Sequence, residues 1–311
     1  FSAINGGHSP TFADVNGNGH LDLVVGNYVG QIKVYLNSGN NTWSTAEAGA
    51  ANPFNGIDVG YIAAPMFADV TGDNYLDLII GTDAGYIKAY SGQSLGIPMS
   101  IFNGIDVGVR ARPTMVDLTG GGKLDLVIGN GDGTIKVYFN RGSDTWPTEA
   151  TGVENPFNGI DAGSVSGPML VDINGNGSLD LIVGNYDGNI KVYLNRPNTY
   201  LTEATGAANP FDGIDVGSYA APALFDLHGN GYLDLVVGNE DGHIKMYFNS
   251  NSGNNTWPTE ATGAVNPFDG IGVGNFTVPS LVDVNGDGFA DLVVGNGDGT
   301  IQTWLNSGSN T

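Results

Sequence analysis

The chain has 311 residues, with 50 glycines, no cysteine and 32 Asp and Glu against 10 Lys and Arg, which gives a formal net charge of −22. This acidity argues against nucleic acid as a partner, because affinity for phosphate comes from Lys and Arg, and the lack of cysteine excludes disulfides and thiolate chemistry. No apolar run approaches the ~18 residues of a membrane span, so no membrane insertion is expected.

One block of sequence recurs six times along the chain. Each copy has a proline, an aspartate four residues later, a glycine-rich loop and a stretch rich in Leu, Ile and Val. The six aspartates are Asp14, Asp69, Asp117, Asp172, Asp226 and Asp283, which lie 48 to 57 residues apart. No linker interrupts the array, so the sequence predicts a single domain that spans residues 1–311.

The elements of each copy follow the same order. The first strand is predicted around the proline, and two more strands follow the loop, at Leu21–Asn27 and Ile32–Asn37 in the first copy. These runs of β-branched and aromatic residues are bounded by Gly, Asn and Asp, as strands commonly are. In four copies an Asp-Gly pair separates the second strand from the third, which is a strong signal for a tight hairpin. A fourth, outer strand is predicted in the segment that runs from WPTEATG to NPF.

Four-stranded units that repeat radially form a β-propeller, and six copies predict an all-β fold of six four-stranded blades. The N-terminal segment FSAINGGHSP aligns with the PFDGIDVG–P segment of later copies. We therefore expect the N-terminus to complete the last blade. Tyr35 and its counterparts in the third strand of every copy favour packing between blades. These counterparts are Tyr90, Tyr138, Tyr193, Tyr247 and Trp304.

The glycine-rich loop has the form D-x-[N/D/T/H]-G-[N/D]-G-x-x-D. Oxygen side chains at positions 1, 3, 5 and 9, with a backbone carbonyl at position 7, suit Ca²⁺, which accepts six or more oxygens in irregular geometry. The candidate side-chain ligands are Asp14, Asn16, Asn18 and Asp22; Asp69, Thr71, Asp73 and Asp77; Asp117, Thr119 and Asp125; Asp172, Asn174, Asn176 and Asp180; Asp226, Asn230 and Asp234; and Asp283, Asn285, Asp287 and Asp291. The candidate carbonyl ligands are those of His20, Tyr75, Ser178, Tyr232 and Phe289.

The six loops differ in their ligands. The Asp283 loop is the most anionic, the Asp226 loop places His228 at position 3, and the Asp117 loop has Gly121 at position 5 and is the weakest. About one calcium per loop is expected, in a structural role. The alternative is that these side chains only form Asx turns that hold the loop together.

The stretches SPTFADVNGNGHLDLVVGN and GPMLVDINGNGSLDLIVGN resemble FG-GAP/VCBS repeats, which occur in integrin α-subunit propellers and in many microbial surface proteins. The array is also similar to fungal lectins of the Psathyrella velutina type, which bind N-acetylglucosamine-like sugars between blades. The resemblance implies calcium in the blade loops, a secreted or cell-surface location, and glycans or surface proteins as partners. That lectin has seven blades, so its sugar-binding residues cannot be assigned to this six-unit chain.

Aromatic residues on a polar segment are candidates for sugar binding, because a pyranose ring stacks on an aromatic face. Trp43, Trp146 and Trp257 occupy the same place in three copies, and Tyr200 lies nearby in a fourth. The alternative is that each tryptophan anchors the outer strand of its blade by packing. Arg110 and Arg112 break the repeat pattern, either to pair with local carboxylates or to mark a distinct site for an anionic ligand.

Enzyme signatures are absent from the sequence. The histidines His8, His20, His228 and His243 occupy unrelated repeat positions, and no catalytic motif is found. We therefore expect a non-catalytic, calcium-stabilised, extracellular carbohydrate-binding propeller with several shallow sites. The first alternative is a structural or adhesive module that binds protein in a surface layer or filament. The second is a polysaccharide-active enzyme or its accessory domain.

Overall fold

A computed structural model describes residues 4–5, 9–39, 43–44, 52–94, 96–142, 146, 148–164, 167–196, 199–227, 229–249, 260–262, 266 and 268–308. The described part of the chain is all-β, with 21 strands and two 3₁₀ helices of three residues each, Gly152–Glu154 and Gly206–Ala208. None of the helices described is long and apolar enough to cross a membrane.

The strands follow one another with the regularity of the repeat. In chain order they are β1 (Ile4–Asn5), β2 (Ser9–Ala13), β3 (Asp22–Gly26), β4 (Ile32–Tyr35), β5 (Ala64–Ala68), β6 (Asp77–Gly81), β7 (Ile87–Tyr90), β8 (Pro98–Met99), β9 (Arg112–Val116), β10 (Asp125–Gly129), β11 (Ile135–Tyr138), β12 (Gly167–Val171), β13 (Asp180–Gly184), β14 (Ile190–Arg196), β15 (Thr199–Glu203), β16 (Ala221–Phe225), β17 (Asp234–Gly238), β18 (Ile244–Tyr247), β19 (Val278–Val282), β20 (Asp291–Gly295) and β21 (Thr300–Trp304).

These strands form six antiparallel sheets, which are the blades. The sheets are β2-β3-β4, β5-β6-β7-β8, β9-β10-β11, β12-β13-β14-β15, β16-β17-β18 and β19-β20-β21-β1. The second strand of every blade, which carries the DLVVG-type sequence, is buried along its whole length. Such a strand has a neighbouring blade against each face, which explains why its sequence is continuously apolar rather than alternating. The predicted six-bladed propeller is confirmed.

The outer strand is shorter than the sequence predicts. It is a strand in the second and fourth blades (β8 and β15), but in the first, third and fifth blades the described residues reduce it to single bridges. These bridges are Asn37–Trp43, Tyr138–Glu149 and Tyr247–Glu260. In the third and fifth copies the tryptophan is followed by Pro147 or Pro258, and a proline has no N–H with which to extend a ladder.

The ring closes between the last blade and the first. The N-terminal strand β1 pairs with β21, with Ile4 opposite Ile301, so the prediction that the N-terminus completes the last blade is confirmed. Beyond this pairing, Leu23 and Val25 of the first blade pack with Val293 of the last in one buried cluster. Five similar clusters join the other pairs of neighbouring blades. The hydrophobic core is therefore a set of six inter-blade interfaces.

Aromatic residues fill these interfaces. Tyr35, Tyr90, Tyr138, Tyr193 and Tyr247 are all buried there, as the regular placement of tyrosine in the third strand predicts. Phe54, Phe102, Phe157 and Phe211, at the start of the FNGIDVG-type connections, are each 1% exposed. In these connections the aspartate, such as Asp58, accepts the backbone N–H of the glycine two residues later. The connections therefore insert a buried phenylalanine between neighbouring blades.

Candidate functional site

The loop that joins the first two strands of each blade is organised around its first aspartate. In the first blade, the Asp14 carboxylate accepts the backbone N–H groups of Gly17, Asn18 and Gly19 at 2.7, 3.0 and 2.7 Å. The left-handed backbone of Gly17 and Gly19 turns these N–H groups towards the carboxylate. Asp69, Asp117, Asp172, Asp226 and Asp283 accept N–H groups in the same way.

The ninth residue of the loop is an aspartate that begins the second strand and is almost completely buried in all six blades. Asp22 accepts the N–H of Val15 at 3.0 Å and that of Asn37 at 2.7 Å, so it ties the loop to the end of the third strand. Burial raises the pKa of this carboxyl, although these hydrogen bonds oppose the shift. Burial raises the pKa in the same way at Asp77, Asp125, Asp180 and Asp291.

Contacts between side chains join pairs of the predicted ligand positions, with a different pair in each of three loops. Positions 3 and 9 meet where Asn174 Nδ2 donates to Asp180 Oδ2 at 3.0 Å. Positions 1 and 3 meet where Thr71 Oγ1 donates to Asp69 Oδ1 at 3.4 Å. Positions 3 and 5 meet where Asn285 Nδ2 donates to Asp287 Oδ2 at 2.9 Å.

Carboxylates alone do not make a metal centre in the part of the chain that the structure describes. It contains no group of three or more Asp, Glu or His side chains that could hold an ion. The loops nevertheless fit Ca²⁺ in the type and number of their donors, provided that amide, hydroxyl and backbone oxygens complete the shell. The same hydrogen bonds are also those that the Asx-turn alternative requires.

The loops differ in ways that bear on calcium. Asn74 replaces the second glycine of the second loop and has a left-handed backbone (φ 69°), a conformation that Asn tolerates. The third loop carries Lys123 at its seventh position, the only lysine or arginine in the six loops. Sequence reasoning missed Lys123, although its departure from the repeat was a visible signal. His228 of the fifth loop lies outside the described residues.

The candidate sugar-binding aromatic residues have different surroundings. Trp146 is 5% exposed and packs edge-on against Phe102 with ring centroids 5.2 Å apart. Trp43 is half-buried, with its ring 6.4 Å from that of Phe12. Both contacts are those of a packing anchor, so Trp146 is not an open platform. Tyr200 lies in β15, in a part of the strand whose side chains are not described, and Trp257 lies outside the described residues.

A cleft of 360 Å³ lies between the second and third blades, on the face that carries the glycine-rich loops. Its walls are Asp69–Gly72 of one loop and Gly122–Leu124 of the next, and Ile101 and Trp146 also line it. Asn140 and Gly142 complete the lining. The cleft combines an indole and three aliphatic side chains with a hydroxyl, an amide, a carboxylate and an ammonium group. It can therefore contact both the apolar face and the hydroxyls of a small polar ligand.

The structure brings no histidines together among the described residues. His20 lies in the first glycine-rich loop and His243 in the hairpin of the fifth blade, and His8 and His228 fall outside the described ranges. The described histidines therefore form no shared acid–base site.

Comparisons with known proteins identify the repeat. The FG-GAP-like repeat family matches residues 14–80, 117–183 and 172–237, and the FG-GAP repeat matches residues 275–310. No curated protein matches the chain.

Two solved structures illustrate the likeness of fold. A lectin from Agrocybe aegerita, reported to recognise non-reducing terminal N-acetylglucosamine, is 22% identical with a TM-score of 0.56, over 98% of this chain and 82% of that chain. BBS1N, solved in complex with ARL6DN, is 12% identical with a TM-score of 0.52, over 98% of this chain and 94% of that chain. At these identities the likeness shows the propeller fold alone.

Proposed function

The chain belongs to the FG-GAP-like repeat family, and we propose that it is a calcium-stabilised, extracellular β-propeller that binds glycans in clefts between its blades. We also propose that residues 1–311 form one domain, since buried clusters join every pair of neighbouring blades around the ring.

The observation that carries this proposal is the cleft between the second and third blades. Sugar sites need an apolar face for the ring and a few polar groups for the hydroxyls. Ile101 and Leu124 supply the first, above the largely buried Trp146, and Thr71, Lys123 and Asn140 supply the second. Because Trp146 is packed against Phe102, it forms the floor of the cleft and is held in one orientation.

Terminal N-acetylglucosamine is the first sugar to test. The Agrocybe aegerita lectin, which has the same fold, is reported to recognise it. An uncharged sugar also suits a chain with a net charge of −22, because it meets no electrostatic repulsion.

We propose that calcium has a structural role and stabilises the glycine-rich loops. The residues that would hold it are the oxygen donors at positions 1, 3, 5, 7 and 9 of the loops, with the Asp283 loop strongest and the Asp117 loop weakest. A bound Ca²⁺ would supply positive charge to loops that each carry two or three aspartates. The proposed extracellular location depends on this role, because calcium is abundant outside cells.

Two variants of the cleft test the proposal against a matched control. Lys123→Gln removes the ammonium group from the edge of the cleft. Trp146→Phe keeps an aromatic ring at the bottom of the cleft but replaces the indole with a smaller ring. Lys88→Gln changes a lysine of β7 that does not line the cleft. Calorimetric titration with N-acetylglucosamine oligomers in millimolar calcium should show weaker binding for the two cleft variants and unchanged binding for Lys88→Gln. Equal affinities in all three would exclude this cleft as the site.

A second candidate function, protein binding, is favoured by one observation. Val29, Tyr61, Tyr86, Val109 and Tyr186 lie on the face opposite the glycine-rich loops and are each at least 42% exposed. Exposed apolar groups of this kind mark interaction surfaces. A protein-binding or self-assembling module predicts concentration-dependent oligomers in sedimentation experiments that persist in excess free sugar. Loss of the oligomers when sugar is added would argue against it.

A further inference from the structure

Four non-glycine residues adopt a left-handed backbone at the same place in the repeat, three residues before the conserved position of the repeat proline. They are Ile62, Arg110, Tyr219 and Phe276, with φ of 44°, 57°, 63° and 55°. This conformation is unfavourable for large side chains, above all for the β-branched Ile62. Backbone strain of this kind is concentrated at functional sites, and here it recurs in four of the connections between blades.

Backbone hydrogen bonds hold each of these residues in place. Its N–H donates to the carbonyl of a residue in the hairpin of the preceding blade, so the hairpins and connections form a continuous rim. These bonds are Ile62 to Tyr28 at 3.1 Å, Arg110 to Asp83 at 2.8 Å, Tyr219 to Tyr186 at 2.9 Å and Phe276 to Glu240 at 3.0 Å. The rim therefore fixes the backbone of these four residues before any ligand binds.

All four side chains line one cavity at the mouth of the central channel. The cavity measures 360 Å³ and is also lined by Tyr28 and Arg112. It leads into the channel, a space of 260 Å³ that is lined by the first strands of all six blades. The rings of Tyr219 and Phe276 pack edge to face with centroids 4.9 Å apart. This axial mouth has the size of a small-molecule site, for which volumes are roughly 300–1,000 Å³.

Two of the four arginines of this acidic chain meet at the axial mouth. Arg110 donates to the Tyr219 hydroxyl at 3.2 Å and forms an ion pair with Asp83 at 3.6 Å. Arg112 is half-buried in the channel, and in the part of the chain that the structure describes its guanidinium makes no hydrogen bond and no ion pair. The carboxylate whose charge acts on it, Asp83, is already paired with Arg110.

The fold does not need an arginine at position 112. The residue before the repeat proline is Ser9, Ala64, Gly167, Ala221 or Val278 in the other copies, and each of these first strands forms in the same way. Burial lowers the pKa of the Arg112 guanidinium, because it penalises the charged form. A buried cation without a fixed partner is costly unless something neutralises it.

We propose that the axial mouth binds a carboxylate carried on a six-membered sugar ring, a uronic acid. The planar guanidinium of Arg112 can hold a carboxylate through two parallel hydrogen bonds. The sugar ring would lie against the aromatic residues Tyr219 and Phe276. This site lies at the opposite end of the first strands from the glycine-rich loops and does not depend on the inter-blade cleft.

The test compares two ligands that differ only in the charged group. Methyl β-glucuronide and methyl β-glucoside are titrated calorimetrically into the full chain, with acetate and inorganic phosphate as small anions. The glucuronide should bind at least about tenfold more tightly than the glucoside or either small anion, because it alone uses both the arginine and the aromatic wall. Equal affinity for glucuronide and glucoside, or tightest binding of acetate or phosphate, would overturn the proposal.

Variants locate the site. Arg112→Ala places at this position the residue that two other blades already carry, so the fold is expected to persist, and glucuronide affinity should fall about tenfold or more. Arg112→Lys keeps the charge but not the paired hydrogen bonds and should give an intermediate loss. Arg141→Ala removes an exposed arginine that pairs with Glu154 and should change nothing. A folded Arg112→Ala variant with unchanged glucuronide affinity would refute the assignment.

Discussion

At the scale of the residue, two glycines with the same backbone conformation have very different surroundings. Gly85 and Gly104 both have φ of 88°. A Cβ at Gly85 would collide with the carbonyl of Gly108 in the next connection, whereas nothing lies within 4 Å of a Cβ at Gly104. A glycine is therefore required at position 85 because the hairpin and the connection approach closely. At position 104 a glycine is required only because the backbone is left-handed.

Alanine at these two positions should separate the two requirements. Gly104→Ala is expected to lower the free energy of unfolding by about 1–2 kcal/mol, the cost of a left-handed alanine. Gly85→Ala should cost about 3 kcal/mol or more, because the connection must also move. Urea unfolding of both variants measures the difference. Equal losses would mean that the hairpin can shift away from the connection without cost.

The repeat predicts the structural role of a residue well where all six copies carry the same residue type, and poorly where one copy departs from the shared pattern. The buried ninth aspartate and the third-strand tyrosine could be assigned from their recurrence alone. Lys123, Arg110 and Arg112 stand out in the sequence only as departures from the repeat. The left-handed backbone of Ile62, Arg110, Tyr219 and Phe276 could not be predicted, because no shared residue type marks it and it depends on hydrogen bonds to a neighbouring blade. The residues that line the two proposed sites are thus largely those that the repeat does not fix.

At the scale of the element, the third strand of the third, fourth and fifth blades places a buried tyrosine beside a glutamate of the outer segment. Tyr138 of β11 is buried between the second and third blades, beside Glu149 of the outer segment. Burial, and then the charge of Glu149, raise the pKa of its phenol to about 12. The neutral phenol is therefore favoured by the folded state.

The sign of this shift predicts alkaline unfolding. The stability that Tyr138 contributes is fully present below pH 10, the ordinary phenol pKa, and is lost as the pH rises through about 12. Absorbance of phenolate and circular dichroism should change together over this range. Tyr138→Phe should weaken the alkaline transition, whereas Tyr86→Phe, at an exposed hairpin position, should leave it unchanged. Complete ionisation of the tyrosines in a still-folded protein would contradict the assignment.

The loops between the first two strands should differ in calcium affinity. Replacing Asp283 and Asp287 together by Asn leaves the loop its oxygen donors but removes two charges, so the number of bound calcium ions should fall by one. Asp117→Asn should leave the number unchanged, because this loop has no donor at Gly121 and already carries Lys123. Calorimetric titration of the chelator-treated protein counts the ions. No calcium binding in the unmodified chain would favour the Asx-turn interpretation.

Most elements, but not all, could be predicted from the sequence. The first three strands of each blade carry an apolar pattern because they are buried between blades. The outer strand touches its sheet in three blades through one described bridge only, and such a contact leaves no periodic pattern in the sequence. The outer strand is therefore the element for which the described residues and the sequence prediction differ most.

At the scale of the whole molecule, a closed ring presents two unlike faces. One face carries the six acidic loops and the inter-blade cleft, and the other carries exposed aromatic residues around two arginines at the axis. The first strand of each blade joins the two faces, so a rigid propeller can hold a neutral glycan at one end and an acidic sugar at the other without coupling them. The fold alone does not fix this division, because related propellers serve many functions.

The proposed function depends on whether the propeller recognises sugars. A broad glycan array, probed with the purified chain in millimolar calcium, tests this most directly. We predict specific hits that free monosaccharide competes away, with N-acetylglucosamine-terminated glycans among them. A blank array, obtained with protein whose circular dichroism shows a folded β-structure, would contradict it and would favour the protein-binding propeller.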